Sequence, residues 1–205
     1  MINILYYGLS DNAGGIERYL FRIATHLNKK EFCINFIDEH EGNLCYKKEL
    51  EQLGAKFYSV VPRRQNPLKN KRQIKELFQK NHFDILHCNI NTLSYIEPIM
   101  QALRAGCKVI VHSRNSGNNE RFLTRFLHKM HFIMLPKKRI IPIAVSQEAG
   151  EWLFGKRGIF TVYHNGIDIE KFRFQEDARK RIRTELKLEN KIVLGHVGFC
   201  LLYTS

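Results

Sequence analysis

Ile2–Leu27, INILYYGLSDNAGGIERYLFRIATHL, is the stretch that decides the fold. Ile2, Ile4, Leu5 and Tyr6 form a short apolar run bounded by turn residues, the pattern of a strand covered on both faces. Ser10–Gly15 is made of small, turn-forming residues. Ile16, Tyr19, Leu20, Ile23 and Leu27 then recur at helical spacing, with Glu17, Arg18, Arg22 and His26 assigned to the opposite, polar face. Gly14 and Gly15 stand where the loop enters the helix, so a ligand can approach backbone N–H groups at a helix end that favours anions. The stretch reads as strand, glycine turn and helix. It is either a phosphate or sugar contact at the C-terminal edge of a parallel sheet or a tight turn that binds nothing.

Working outward, strands and helices alternate. Phe32–Ile37 reads as a second strand ending at Asp38, an acidic residue placed as in a ribose-binding dinucleotide fold. The first loop, GLSDNAGG, lacks the G-x-G-x-x-G spacing, which argues against a nicotinamide site. Tyr46–Leu53 reads as a helix closed by Gly54, and Lys56–Val61 as a strand. Pro62–Lys71 reads as a basic loop with two prolines, either solvated surface, the favoured reading, or a phosphate or lipid contact. Ile74, Leu77 and Phe78 mark a helix, and Asp84–Cys88 a strand with His87, Cys88 and Asn89 at its C-terminal end. Thr92–Leu103 reads as a helix kinked at Pro98 and stopped by Gly106. Lys108–His112 is a strand leading into the polar loop from Ser113 to Asn119.

If the strands are parallel, right-handed crossovers bring their exit loops to one edge. His87, Asn89, His112, Arg114 and Asn115 then join the glycine turn, and Gly14, Asn89, Arg114 and Asn165 share a rim. Glu120–Met134 is strongly amphipathic. Phe122, Leu123, Phe126, Leu127, Met130, Ile133 and Met134 lie on one face, and Arg121, Arg125, His128 and Lys129 on the other. That basic face is either ordinary solvated surface or a contact for anionic lipid headgroups. Ile140–Val145 is a strand, Ser146 an N-cap for a helix over Gln147–Phe154, and Gly155 its stop. Phe160–His164 reads as a strand entering an Asn165-Gly166 turn. Arg179–Leu188 is a charged helix, and Lys191–Gly198 (KIVLGHVG) a new buried strand.

The net charge of +13 permits nucleic acid, an anionic membrane or an anionic substrate, but no helix-turn-helix, zinc-finger or RNP-type signature is present, so no nucleic-acid partner is expected. The five cysteines are scattered without metal-ligand spacing, so no metal site is expected and a reducing cytoplasm fits best. No apolar run is long enough to span a bilayer, and the N-terminus lacks signal-peptide character.

Four segments carry a resemblance. HNGIDIEKF (164–172) resembles the Asn-Gly-Ile-Asp…Phe signature of GT-B glycosyltransferases of family 4. AVSQEAGEWLFG (144–155) resembles that family's Val-Ser-x-x-Ala segment, AGGIERYL its Gly-Gly-x-Glu first loop, and DILHCN its Asp-x-x-His segment. Order and spacing agree across Met1 to about Gly198, with bacterial exopolysaccharide and capsule transferases the nearest in look.

The resemblance implies an α/β fold, a Rossmann-like doubly wound parallel sheet forming the N-terminal half of a two-domain enzyme. Residues 1–174 would be the acceptor-side domain, 175–190 a linker helix, and 191–205 the first strand of a truncated C-terminal domain with an atypical tail. It implies transfer of a sugar from a nucleotide-sugar, a UDP-sugar in the first instance, to a glycan or lipid-linked acceptor. No cofactor or metal is called for. The setting is cytoplasmic, with peripheral attachment to the inner face of the plasma membrane as a further expectation. The substrate-binding candidates are Gly14, Gly15, Glu17, His87, Asn89, Asn115, Ser146, Asn165 and Gly166, and the catalytic candidates His112 and Arg114.

Two departures stand out. Arg114 occupies the place of the histidine in the family's Thr-x-His segment, where an arginine would stabilise phosphate or acceptor charge. The family's diphosphate-gripping basic pair and paired glutamates do not follow Gly198, so the 205-residue chain alone is expected to turn over little or nothing. Two other classes remain open: a non-catalytic recognition or membrane-docking subunit, and another nucleotide-binding Rossmann enzyme.

Overall fold

The computed structural model describes residues 1–117 and 121–195. Seven parallel strands form one sheet in the order β3-β2-β1-β4-β5-β6-β7. They are β1 (Ile2–Tyr7), β2 (Phe32–Asp38), β3 (Lys56–Ser59), β4 (Ile85–Ile90), β5 (Lys108–Ser113), β6 (Ile140–Ala144) and β7 (Thr161–Val162). The helices are α1 (Gly15–His26), α2 (Lys47–Gln52), α3 (Pro67–Lys80), α4 (Glu97–Arg104), α5 (Phe122–Met134), α6 (Gln147–Phe154) and α7 (Glu176–Glu185). The expected Rossmann-like parallel sheet is therefore the fold.

Period-two alternation along β1 sorts its side chains between two cores. Ile4 and Tyr6 join Leu20, Ile34, Phe36 and Leu50 in one apolar cluster. Leu5 joins Ile37, Ile74, Leu86, Ile99, Val111 and Leu153 in the other. Both faces of a parallel sheet must be covered, and both are.

Several local readings need correction. Pro98 does not kink a helix: the chain turns helical only at Glu97, so Pro98 sits in the first turn, where its missing N–H has no intrahelical partner to lose. Pro67 does the same for α3, whose N-cap Asn66 accepts from the Lys69 N–H at 2.9 Å, so Pro67–Lys71 is helix rather than loop. β4 runs on to Ile90, which places His87 inside the strand and not at its end. β7 has two residues instead of the five read from Phe160–His164. Lys191–Gly195 forms no strand, and Ile192 and Leu194 are exposed. The rest of that expected strand lies outside the described residues, as do Asn118 and Asn119 of the expected polar loop and Glu120 at the start of the expected fifth helix.

The chain divides into two compact units at Gly166. In the second, which begins at Ile167, α7 buries none of its residues.

Two amphipathic helices settle differently from the sequence pattern. In α1 the apolar stripe packs inward as expected, but Glu17 is buried with it, not on the solvent face. In α5 most of the predicted apolar face is exposed, with only Leu127 of it partly buried. Its one fully buried residue is His128, assigned from sequence to the polar face. Phe122, Leu123, Phe126, Met130, Ile133 and Met134 are exposed, Phe122 at 87% and Ile133 at 83%.

Candidate functional site

β1 is followed by a crossover to β2 on one side, and β4 by a crossover to β5 on the other. The chains leaving these two neighbouring strands diverge, which opens a crevice at the C-terminal edge of the sheet. A cleft of about 670 Å³ lies there, lined by residues that include Tyr7, Gly8, Gly14, Gly15, Asn89, Arg114, Asn115 and Asn165. Gly8 is required for the close approach: its φ is +108°, and a Cβ would stand 2.0 Å from the Asn89 carbonyl oxygen.

The glycine turn is held from beneath. The Glu17 carboxylate accepts the Ser10 hydroxyl at 2.7 Å and the backbone N–H groups of Ser10 at 3.2 Å and Gly14 at 3.1 Å. Glu17 thus shapes the turn, and the neighbouring amides at the α1 N-terminus border the cleft.

Arg114 is fixed by four partners. Its guanidinium lies 4.2 Å over the Tyr19 ring and donates to the Asn165 side-chain oxygen at 2.9 Å, the Gly15 carbonyl at 3.3 Å and His112 Nε2 at 3.2 Å. A guanidinium only donates, so His112 Nε2 accepts and the His112 proton is on Nδ1. That proton points to His87 Nε2, 3.2 Å away, which leaves His87 protonated on Nδ1. Both imidazoles are buried and stacked, with ring centroids 5.4 Å apart. Burial, reinforced by the Arg114 charge, pulls the pKa of His87 down to about 4; burial, Arg114 and His87 together pull that of His112 down to about 3. The pair is neutral at physiological pH and supports Arg114 from below. Burial also lowers the Arg114 pKa and raises that of Tyr19.

A second network forms the floor. Tyr7 and Asn70 donate to the two oxygens of Glu39 at 2.9 and 2.7 Å, and the Tyr95 hydroxyl donates to Asn70. Arg63 stacks 4.5 Å over the Tyr95 ring, and Arg63 and Arg64 both line the cleft. The PRRQ segment, for which solvated surface is the favoured reading of the sequence over a phosphate contact, therefore contributes cations to the site. Its only advance signal was its charge.

Asn89 and the Nε of Arg114 are the buried polar groups of the cleft left without partners among the described residues. Asn89 is 1% exposed and lines the cleft, and among the described residues neither its side-chain oxygen nor its nitrogen has a partner. A buried amide without partners costs free energy unless something supplies them.

Of the residues named from sequence, Gly14, Gly15, Asn89, Arg114, Asn115 and Asn165 line this one cleft, with Glu17 among them as the support of the turn. His87 and His112 lie beneath it, each buried. Ser146 is occupied as the N-cap of α6, accepting the Ala149 N–H at 3.2 Å. The Gly166 carbonyl accepts from Arg22 of α1. Asp38, considered for a ribose, is fully buried and paired to Lys47 at 3.3 Å. Among the described residues no cluster of His, Cys, Asp or Glu is arranged to hold a metal ion.

Comparison with known proteins gives a family. The model of Glycosyltransferase Family 4 matches residues 13–171. A crystal structure of a glycosyltransferase from Rickettsia africae superposes with a TM-score of 0.66 at 16% identity, over 93% of this chain and 51% of that one. The chain thus spans about half the length of the glycosyltransferase it matches. A protein described as a short-chain dehydrogenase/reductase from Burkholderia multivorans, with bound NADP, superposes at a TM-score of 0.50 and 15% identity over 78% of this chain and 85% of that one, a likeness of fold alone. No curated protein matches the sequence.

Proposed function

The chain belongs to Glycosyltransferase Family 4, and from the cleft we propose that it carries the acceptor side of a sugar transfer from a nucleotide-sugar, a UDP-sugar first among candidates, to a glycan or lipid-linked acceptor in polysaccharide assembly. The observation that carries this reading is the unpartnered Asn89 amide, buried at the rim of a cleft that also holds Arg114. A sugar offers vicinal hydroxyls that both donate and accept, and an amide with a free donor and a free acceptor is complementary to them.

Arg114, immobilised by Tyr19, Asn165, Gly15 and His112, supplies fixed positive charge for an anionic group of either substrate. Arg63 and Arg64 add charge at the other side of the crevice. His112, buried and with both ring nitrogens engaged, acts as a positioning residue for Arg114 and does not itself transfer a proton. Donor diphosphate stabilisation is not complete in these residues, so the 205-residue chain is proposed to bind acceptor without appreciable turnover.

The test is a titration of the 205-residue chain with saccharide acceptors and with UDP-sugars, followed by amide and side-chain NMR. Saccharide is expected to shift the Asn89 side-chain amide and the backbone signals of Gly14, Arg114 and Asn165. Arg114→Ala is expected to weaken binding about tenfold. Binding that leaves all four residues unmoved overturns the assignment of the cleft.

A further inference from the structure

The turn after β3 holds a guanidinium still. The Val61 N–H donates to Gln73 Oε1 at 2.7 Å, and the Val61 carbonyl accepts from Asn70 Nδ2 at 2.8 Å. The Pro62 carbonyl then accepts the Gln65 N–H at 3.0 Å, closing a turn that carries Arg63 and Arg64. Arg63 stacks on the Tyr95 ring at 4.5 Å, and that ring is itself anchored. The Tyr95 hydroxyl donates to Asn70, which is fully buried and donates in turn to Glu39 at 2.7 Å. Asn70 thus fixes both the turn and the ring on which Arg63 lies. Holding so long a side chain costs rotamer entropy, which the stack offsets within the chain.

The charge so placed has no counterpart in the cleft. Arg63, Arg64 and Arg114 line it, and among the described residues none of the three forms an ion pair. Glu17 is the one acid among the described lining residues, and its oxygens are taken by Ser10 and Gly14. Glu39, beneath, has its two oxygens taken by Tyr7 and Asn70. The two sides of the crevice differ in what their arginines do. Arg114 directs its donors to Asn165, Gly15 and His112 and so ties loops together. Arg63 is engaged through the face of its guanidinium, which leaves the N–H groups along the edge for a ligand.

We propose that Arg63, with Arg64 beside it, is the specificity-determining residue for an acidic acceptor, a sugar whose carboxylate or phosphate lies on the Arg63 edge while its hydroxyls meet Asn89. The proposal rests on the acceptor-side reading of the cleft and narrows it. A neutral sugar leaves three cations facing the crevice without an anion. A carboxylate or phosphate matches the planar fork of a guanidinium with two parallel hydrogen bonds.

NMR titration of the 205-residue chain with methyl glycosides, methyl uronides and 6-phosphates of glucose and galactose tests it. The uronide or the 6-phosphate is expected to bind at least about tenfold more tightly than the neutral glycoside, and the tighter of the two identifies the anion as carboxylate or phosphate. The preference should shrink as salt rises. Arg63→Gln/Arg64→Gln is expected to keep the wild-type circular dichroism and to bring the ratio of acidic to neutral affinity down to about one. Arg63→Lys, which keeps the charge and loses the planar fork, should retain only part of the preference. Equal binding of acidic and neutral sugars by the wild type overturns the proposal. So does a double variant that weakens all ligands alike, as a merely structural role would, or one that leaves the preference intact. A preference lost only in Arg114→Gln moves the anion to the other side of the crevice and overturns the assignment to Arg63. Weakened binding of UDP in the double variant, with the preference kept, gives these cations to the donor diphosphate instead. In each of these cases sugars still shift Asn89 and the cleft reading stands. No shift at Asn89 with any of the sugars removes the cleft reading and this proposal with it.

Discussion

Helices α1 and α5 carry the same kind of pattern, an apolar stripe with basic residues opposite, yet one buries its stripe and the other exposes it. The difference lies in what each helix faces. α1 lies on a sheet face made of Ile4, Tyr6, Ile34 and Phe36, an apolar surface that takes an apolar stripe. α5 lies on the loop after β4, where the Leu93 N–H and carbonyl need hydrogen-bonding partners. His128 and His131 supply those partners, beside a partly buried Phe132. An amphipathic helix therefore announces two faces, and its neighbour chooses between them.

Four measurements sharpen or break this contrast. Acid should act most strongly, because it reaches the floor under α1 and the seam under α5 together. The unfolded histidines take up protons near pH 6.5, whereas His87 holds off until about 4 and His112 until about 3, and burial also lowers the pKa of His128. The stabilisation is whole above pH 6.5 and is lost progressively as pH falls toward 3, since the unfolded chain then binds more protons than the folded one. Urea titrations across that window should show a steep fall in stability, flattened in a His87→Gln/His112→Gln variant. Unchanged stability between pH 6.5 and 4 would contradict neutral, buried imidazoles.

Leu20→Ala, at the centre of the α1 contact, should cost about 3 kcal/mol in urea unfolding. A cost near zero would mean that α1 does not pack as described. His128→Ala leaves the Leu93 N–H unpaired and removes the Trp152 stack, with an expected loss of about 2 kcal/mol. Hydrogen exchange should then speed up at Leu93 and along α5 before it does elsewhere. Phe122→Ser should change stability by no more than about 0.5 kcal/mol, because Phe122 is 87% exposed. A loss comparable to that of Leu20→Ala would show Phe122 to be buried after all.

Much of the cleft could be read in advance for a geometric reason. Parallel strands joined by right-handed crossovers send their exit loops to one edge, so Gly14, Asn89, Arg114 and Asn165 meet whatever the details of packing. The sequence marks Arg63 and Arg64 only as part of a basic loop that is either solvated or a phosphate contact, because they follow β3 at the far end of the sheet order, and Arg63 meets the cleft through its stack on Tyr95. Glu17 was placed among solvent-facing residues because helical periodicity counts charge as outward. Its carboxylate is buried because the amide and hydroxyl of Ser10 in the preceding loop and the amide of the N-cap Gly14 require it.

By itself the sequence determined the alternation of strands and helices, the turn at Gly14-Gly15, the cap at Ser146 and the stops at Gly106 and Gly155, since these depend on φ, hydrogen bonding and periodicity within a few residues. Only the tertiary structure decided that Pro98 opens a helix, that the His87–His112 pair lies neutral beneath Arg114, and that α5 faces outward. Those outcomes depend on which buried polar groups meet across distances in sequence that no local pattern spans. A donor or acceptor removed from water must find its partner, and the fold determines which partner is within reach.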